Sequence, residues 1–402
     1  MEKKKNNNNG GDFGEEQRSI DGDILESILS YLPLLDLDSA CQVSKSWNRA
    51  VFYSLRRLKT MPWLFVYNQR NSPPYTMATM AMAYDPKSEA WIELNTASSP
   101  VEHVFVARSS HSTLLYALSP ARFSFSTDAF HLTWQHVAPP RVWRIDPIVA
   151  VVGRSLIIAG GVCDFEEDRF AVELFDIESG DGAWERCESM PDFLYESASS
   201  TWLSVAVSSE KMYVTEKRSG VTCSFNPVTR SWTKLLDLCP GECSLYSRSI
   251  GFSGNRLIVA GIIGDEYNPT GIELWKVIDS DESHLKFESI GSMPETYLEK
   301  LRGINSDWPL TSIVLNAVGD MVYVHVHDAA ENGGEIVAAE IEGGKLCKWR
   351  TLPNADATWN KSHAAERVIV ACSNVGFSDL KLAFRNNLSF SQRQNIEFNR
   401  VR

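Results

Sequence analysis

The sequence predicts two units of different fold class: an all-α three-helix unit over residues 19–60, then an all-β propeller, read as six blades, over residues 61–385. Three observations predict this. Helical periodicity is confined to the stretch from Asp21 to Leu58. From Trp63 onward the pattern alternates, in short β-branched and aromatic runs broken by Gly, Pro, Asn and Asp, with no amphipathic helix expected there. Within that region a strand-turn-strand unit recurs, its anchor aromatics 43 to 62 residues apart.

Taken in order, residues 1–18 are rich in Lys, Asn, Gly and Glu and nearly devoid of apolar side chains, so they cannot offset their own chain entropy and are expected to be disordered. The first helix follows. Ile24, Leu25, Ile28, Leu29 and Leu32 share one face, Asp23 is the expected N-cap and Pro33 the expected stop. A short helical turn around Asp36 to Cys41 and a third helix from Val43 to Leu58 complete the unit, the last with Val43, Trp47, Ala50, Val51 and Leu55 on one side. So small a unit, without disulfides or metal, lies near the limit at which one core suffices. Each large apolar side chain withdrawn from water contributes about 1.5–3 kcal/mol. Its spare Ile and Leu residues therefore call for a covering surface, on this chain or on a partner.

The run Ile28-Leu29-x-x-Leu32-Pro33, followed by Leu37, Val43 and Trp47, resembles the F-box pattern, although the family usually opens with Leu-Pro where this chain has Ile20-Asp21. The resemblance implies capture of the Skp1 adaptor, and through it a cullin, by Ile24, Leu25, Ile28, Leu29, Leu32, Pro33, Leu37, Val43 and Trp47.

In the second unit the clearest copies of the repeat are Ala83 to Leu94 and Ser224 to Leu235, both reading strand, Asx-Pro turn, strand, with Trp91 and Trp232 in equivalent places. A longer copy runs from Leu174 to Trp184, and weaker ones end at Trp134, Phe287 and Trp349. This spacing fits a four-stranded blade that cannot bury both faces alone and packs beside others around an axis. Six units plus a strand at Glu366 to Cys372 predict six blades closed by pairing of N- and C-terminal strands, with seven blades the alternative; residues 386–402 are read as a tail. Gly160-Gly161 and the spaced Tyr and Trp resemble kelch repeats. An F-box followed by a kelch propeller is typical of a large plant family of ubiquitin-ligase substrate receptors, some of which target enzymes of specialised metabolism, phenylpropanoid enzymes among them. The rival reading is an interaction scaffold outside ubiquitination.

A net charge of −12 without a basic stripe argues against a nucleic-acid partner, and the absence of a long apolar run argues against a membrane partner. With no secretory signal the expected location is cytoplasmic or nuclear. The eight cysteines are dispersed, and the CxxxC pair Cys239 and Cys243 has no second pair to complete a zinc site. His325 and His327 share a strand face without a recognisable third ligand. No phosphate loop, nucleophile elbow or HExxH motif is present. No metal, cofactor or catalysis is expected. What remains is recognition by loops. The connections leaving each Trp strand carry Arg141, Trp143, Phe193, Tyr195, Tyr246, Tyr297, Arg302, Trp308 and Trp359, residue types that serve as binding hot spots. The acidic loops Asp164 to Asp168 and Asp265 to Tyr267 are expected on the opposite face.

Overall fold

The computed structural model describes residues 22–57, 60–72, 76–95, 107–163, 167–179, 182–194, 199, 201–240, 244–278, 285–303, 309–326, 334–352, 366–385 and 389–392. The chain divides into two units, Met1–Leu58 and Lys59–Arg402.

In the first unit, α1 (Asp23–Leu29), α2 (Leu34–Val43) and α3 (Lys45–Ser54) are followed by a 3₁₀ turn, Leu55–Arg57. Leu25, Leu29, Leu37, Ala40, Ala50, Val51 and Leu55 are buried and form its core. Several boundaries differ from the expectation: the second helix is ten residues long rather than a short turn and takes in Val43, which was expected in the third, and α3 spans only Lys45–Ser54. Gly22 with φ 70° occupies the N-cap of α1, a left-handed turn that glycine adopts without strain, and Asp23 becomes the first helical residue, where its charge suits the positive helix end. Pro33 does not stop α1, which ends at Leu29; it opens α2 from the N-cap position, its fixed φ of −57° leading into the helix. Ser44 then caps α3, its hydroxyl accepting from Trp47 N at 3.2 Å.

The second unit consists of six antiparallel sheets. Blade 1 is formed by β1 (Met61–Ser72), β2 (Thr76–Asp85) and β3 (Ala90–Asn95), with β25 (Glu366–Val375) on the inside of β1 and β26 (Ser389–Gln392) on the outside of β3. Blade 2 holds β4 (Ala107–Arg108), β5 (Leu115–Leu118), β6 (Phe123–Ser126) and β7 (Gln135–Val137). Blade 3 holds β8 (Ile148–Val152), β9 (Ser155–Ala159), β10 (Val172–Asp176) and β11 (Glu185–Arg186). Blade 4 holds β12 (Leu203–Val207), β13 (Met212–Glu216) and β14 (Val221–Asn226), its outer edge split into β15 (Ser231–Trp232) and β16 (Leu236–Asp237). Blade 5 holds β17 (Leu245–Ser253), β18 (Arg256–Gly264), β19 (Pro269–Ile278) and β20 (Lys286–Ser292). Blade 6 holds β21 (Val314–Val318), β22 (Met321–His325), β23 (Val337–Glu342) and β24 (Lys345–Thr351).

The ring closes through a long register, from Met61 opposite Val375 to Arg70 opposite Glu366, so both ends of the propeller sequence share one sheet. Residues 389–392, within the stretch read as a tail, extend the same sheet. The repeat's anchor aromatics become cross-strand pairs, Tyr84 with Trp91 and Phe225 with Trp232, beside Asx turns in which Asp85 accepts from Lys87 N at 3.0 Å and Asn226 from Val228 N at 2.9 Å.

An innermost strand leaves one edge of backbone N–H groups facing the axis, where no further strand pairs them. Serine hydroxyls of other blades accept some of these: Ser110 from Val149 N, Ser112 from Ala317 N, Ser204 from Ile250 N and Ser249 from Leu315 N, all at 2.9–3.1 Å. Among the described residues two helices appear where none was expected, α4 (Glu295–Arg302) and α5 (Phe377–Arg385). Both are too short to stand out from the strand pattern, yet α4 buries Leu298 and Leu301 between blades 5 and 6 and ends at Gly303 with φ 80°.

Candidate functional site

On the helical unit the nine residues assigned to the adaptor separate into two sets. Leu25, Leu29 and Leu37 point inward and are buried. Ile24 and Val43 are 67% and 62% exposed, Ile28 is exposed, and Leu32, Pro33 and Trp47 are half-buried. Ile24 and Ile28, four residues apart, lie one above the other on α1, and exposed Tyr31 extends the apolar surface beyond the motif positions. Tyr31 was missed because it falls between the pattern positions Leu29 and Leu32.

On the propeller, each connection from a fourth strand to the next blade leaves from the same sheet end as the loop between second and third strands, a consequence of antiparallel order. The described residues of the acidic loops, Glu167, Asp168 and Asp265 to Tyr267, therefore share the face of the aromatic connections, which corrects their expected placement on the opposite face. Leu310 N donates to Glu266 O at 2.8 Å and Arg302 Nη2 to Tyr267 O at 3.5 Å, each joining one loop type to the other, and Arg186 Nη2 on β11 pairs with Asp168 at 2.5 Å.

Among the expected target-contacting residues, Arg141 and Trp143 are exposed. Phe193 is half-buried against the core between blades 3 and 4. Tyr246 and Tyr297 pack on the core of blades 5 and 6, their hydroxyls donating to Leu310 O and, at 2.9 Å, to Trp349 O. Arg302 is half-buried. Tyr195, Trp308 and Trp359 lie outside the described residues, as do Asp164 to Glu166, Cys243 and His327.

Trp143 owes its position to its neighbour. Arg144 is buried, with Nη1 donating to Gly160 O at 2.7 Å and Ala171 O at 2.9 Å, and Nη2 to Glu173 Oε2 at 3.1 Å. Glu173, also buried, accepts from Arg141 N at 2.9 Å and Val142 N at 3.3 Å. One carboxylate thus holds the segment 141–144 down and leaves Trp143 projecting, 44% exposed. The glycine doublet makes room for it: Gly161, at φ 61°, lies so close to the segment that a Cβ would come within 2.2 Å of Asp146 C.

Two residues after Trp143, exposed Ile145 precedes Asp146, whose Oδ2 accepts from Thr201 N at 3.3 Å and Thr201 Oγ1 at 3.1 Å. That link brings Trp202, 51% exposed, to the same region. Trp202 was missed because it is not a repeat position; its only signal is a tryptophan set among polar residues just before a strand. Beside this apolar pair lies the axial opening. Arg108 pairs with Asp146 at 3.3 Å, and Lys217 Nζ donates to Thr201 O at 2.9 Å; burial draws the Lys217 amine down to about 8 against the pull of Asp146 and Glu216. Deeper in, burial pulls His111 down to about 4, and its Nε2 has no hydrogen-bond partner. His325 Nε2 meets Asn316 Nδ2 at 3.0 Å. Among the described residues no three His, Cys, Asp or Glu side chains cluster to hold a metal, and no described helix is long and apolar enough to cross a membrane.

Comparison with known proteins agrees with both units. Residues 23–58 match the F-box-like family. An F-box/kelch-repeat protein of Arabidopsis thaliana is 97% identical over 390 residues, covering 97% of this chain and 98% of that protein. Among solved structures, a protein of unknown function from Bacteroides caccae aligns with TM-score 0.38 and 8% identity over 77% of this chain and 98% of the other. The β-propeller domain of Cps50 (Swd1) from Myceliophteria thermophila gives TM-score 0.33 and 12% identity over 71% of this chain and 89% of that domain. With a helical unit of F-box pattern, six kelch-type blades and a relative of near-complete identity and coverage, the chain belongs to the F-box/kelch-repeat family.

Proposed function

We propose that this protein is the substrate-recognition subunit of an SCF-type ubiquitin ligase, non-catalytic itself, holding a Skp1-type adaptor and thereby a cullin on the helical unit and a target protein on the propeller. The observation that carries the proposal is the presence of exposed large apolar side chains on each unit: Ile24, Ile28 and Val43 on the helices, Trp143 and Trp202 on the propeller. A chain with two such surfaces and no identified reaction centre acts by bringing two proteins together. The target is proposed to meet Arg141 and Trp143 directly, with Phe193, Tyr246, Tyr297 and Arg302 supporting the loops; Tyr195, Trp308 and Trp359 belong to the same proposed set by their place in the sequence. A metabolic enzyme, such as one of phenylpropanoid metabolism, is the proposed class of target.

Affinity purification after proteasome inhibition is the direct test. It should recover the adaptor, the cullin and one accumulating target; a target without adaptor or cullin would favour the scaffold reading. Once the target is in hand, Trp143→Ala and Trp202→Ala should each cost about 2 kcal/mol of binding, roughly thirtyfold, while Glu167→Gln in the acidic loop should cost little. Melting temperature and adaptor capture should be unchanged in these variants. Loss of target with Glu167→Gln and none with the tryptophan variants would move recognition to the acidic loop.

A further inference from the structure

Blades in this propeller normally pack through large apolar side chains on their third strands. β10 contributes Val172 and Leu174 to the core shared by blades 3 and 4, and β19 contributes Ile272 and Leu274 to the core shared by blades 5 and 6. β14 breaks the rule. Toward blade 5 it presents Thr222 and Ser224, while Cys223 and Phe225 face blade 3. The outer edge of blade 4 is also split between β15 and β16. Between blades 4 and 5 this leaves a cleft of about 630 Å³. Ligand pockets generally span about 300–1,000 Å³.

The walls of the cleft differ in character. Phe252, Val277 and Leu285 of blade 5 form the apolar wall, and Tyr213 stacks on Phe252 with ring centroids 6.2 Å apart. Opposite, Ser224 Oγ and Thr233 Oγ1 lie 3.1 Å apart, and Thr233 Oγ1 also accepts from Ser224 N at 2.9 Å. Two hydroxyls joined in this way share one bond and keep one hydrogen to donate. Lys211, Lys234 and Arg256 line the cleft as well; none forms an ion pair, and no carboxylate lines it among the described residues. In a chain of net charge −12, the described lining of this cleft carries three cations and no carboxylate.

We propose that this cleft binds a small amphipathic organic anion. Its apolar ring body lies against Phe252 and Val277, its acid group faces Lys211, Lys234 and Arg256, and a polar substituent accepts from the Ser224–Thr233 pair. This site is separate from the target-binding face and does not depend on the function proposed above. A bound ligand would join the two blades where their own packing is thinnest.

The probe for the test is 8-anilinonaphthalene-1-sulfonate, an aromatic anion that fluoresces on leaving water, titrated into the full chain. One saturable component per chain is expected, accompanied by a higher melting temperature. Ser224→Leu, which copies Leu174 of blade 3, and Val277→Trp, which fills the cleft from the other wall, should each remove that component while melting no lower than wild type. Lys234→Glu with Arg256→Glu, both at exposed positions that leave the core untouched, should weaken it about tenfold. Unchanged titrations in the charge-reversed chain and in whichever filling variant folds would overturn the proposal. The connection 279–284 carries Asp279, Asp281 and Glu282 between the lining residues Ile278 and Leu285. If the probe binds only after Asp279→Asn, Asp281→Asn and Glu282→Gln are made together, the chain's own acidic segment is the occupant and the proposal fails.

Discussion

A chain carrying both Ile24→Asp and Ile28→Asp is expected to lose capture of a Skp1-type adaptor while keeping its fold. Both side chains are exposed on one ridge of α1, so neither substitution opens a cavity in the helical unit. Burying each against a partner contributes about 1.5–3 kcal/mol, and a carboxylate in its place must also be desolvated, so the pair should weaken binding by roughly two to four orders of magnitude. Leu29→Ala offers the contrast. That residue is buried, and its truncation costs about 2–5 kcal/mol of folding before any partner is involved. Pull-down with purified adaptor, read beside circular dichroism melting of each variant, separates the two effects. Leu32→Ala with Pro33→Ala, at half-buried positions, should fall between them: weakened capture and a modestly lower melting point. Wild-type capture by the double aspartate variant, with the chain folded, would reject the adaptor assignment.

The exposed and buried members of the F-box run could not be told apart in the sequence, because Ile24 and Leu25 carry the same hydropathy and differ only in which side of a short helix they occupy. The period of the pattern was legible; its phase against two other helices was not. The same holds for the propeller. The Trp91 and Trp232 hairpins and the Gly160-Gly161 doublet announce the blades through local chemistry, an Asx turn and positive φ. The closing partnership of β25 with β1 follows from a count of strands. By contrast, the serine hydroxyls that satisfy the inner edges, and the link from Asp146 to Thr201 that sets Trp202 near Ile145, join residues of different blades. Such contacts exist only once the ring is closed. Burial also separates residues of one composition: Tyr246 and Trp143 are both aromatic and both expected in connections, yet Tyr246 lies on β17 with its hydroxyl donating to Leu310 O, while Trp143 projects into solvent.

Glu173→Gln is expected to be the most damaging single substitution on the target face, although Glu173 is buried and cannot touch a target. Its carboxylate answers the guanidinium of Arg144 at 3.1 Å, and both side chains are withdrawn from water. Removing one charge of a buried pair typically costs about 3–5 kcal/mol, because the other is left uncompensated where solvent cannot reach it. At about 2.1 cal/mol/K of unfolding entropy per residue, each kcal/mol lowers the melting temperature of so large a domain by roughly 1–2 °C, so the loss should be about 5 °C. Arg144→Met should also destabilise, by leaving the carboxylate without its counter-charge and with only the two backbone donors Arg141 N and Val142 N. The double variant, Arg144→Met with Glu173→Leu, removes both charges and should recover much of the stability. It should not recover target binding. Arg141 N and Val142 N both donate to Glu173, and without an acceptor the segment that presents Trp143 is no longer held in place. Stability and recognition should therefore separate in the double variant: near-normal melting beside an affinity as low as that of Trp143→Ala. If the double variant instead binds its target normally, the segment keeps its shape without Glu173, and the buried pair contributes to stability alone.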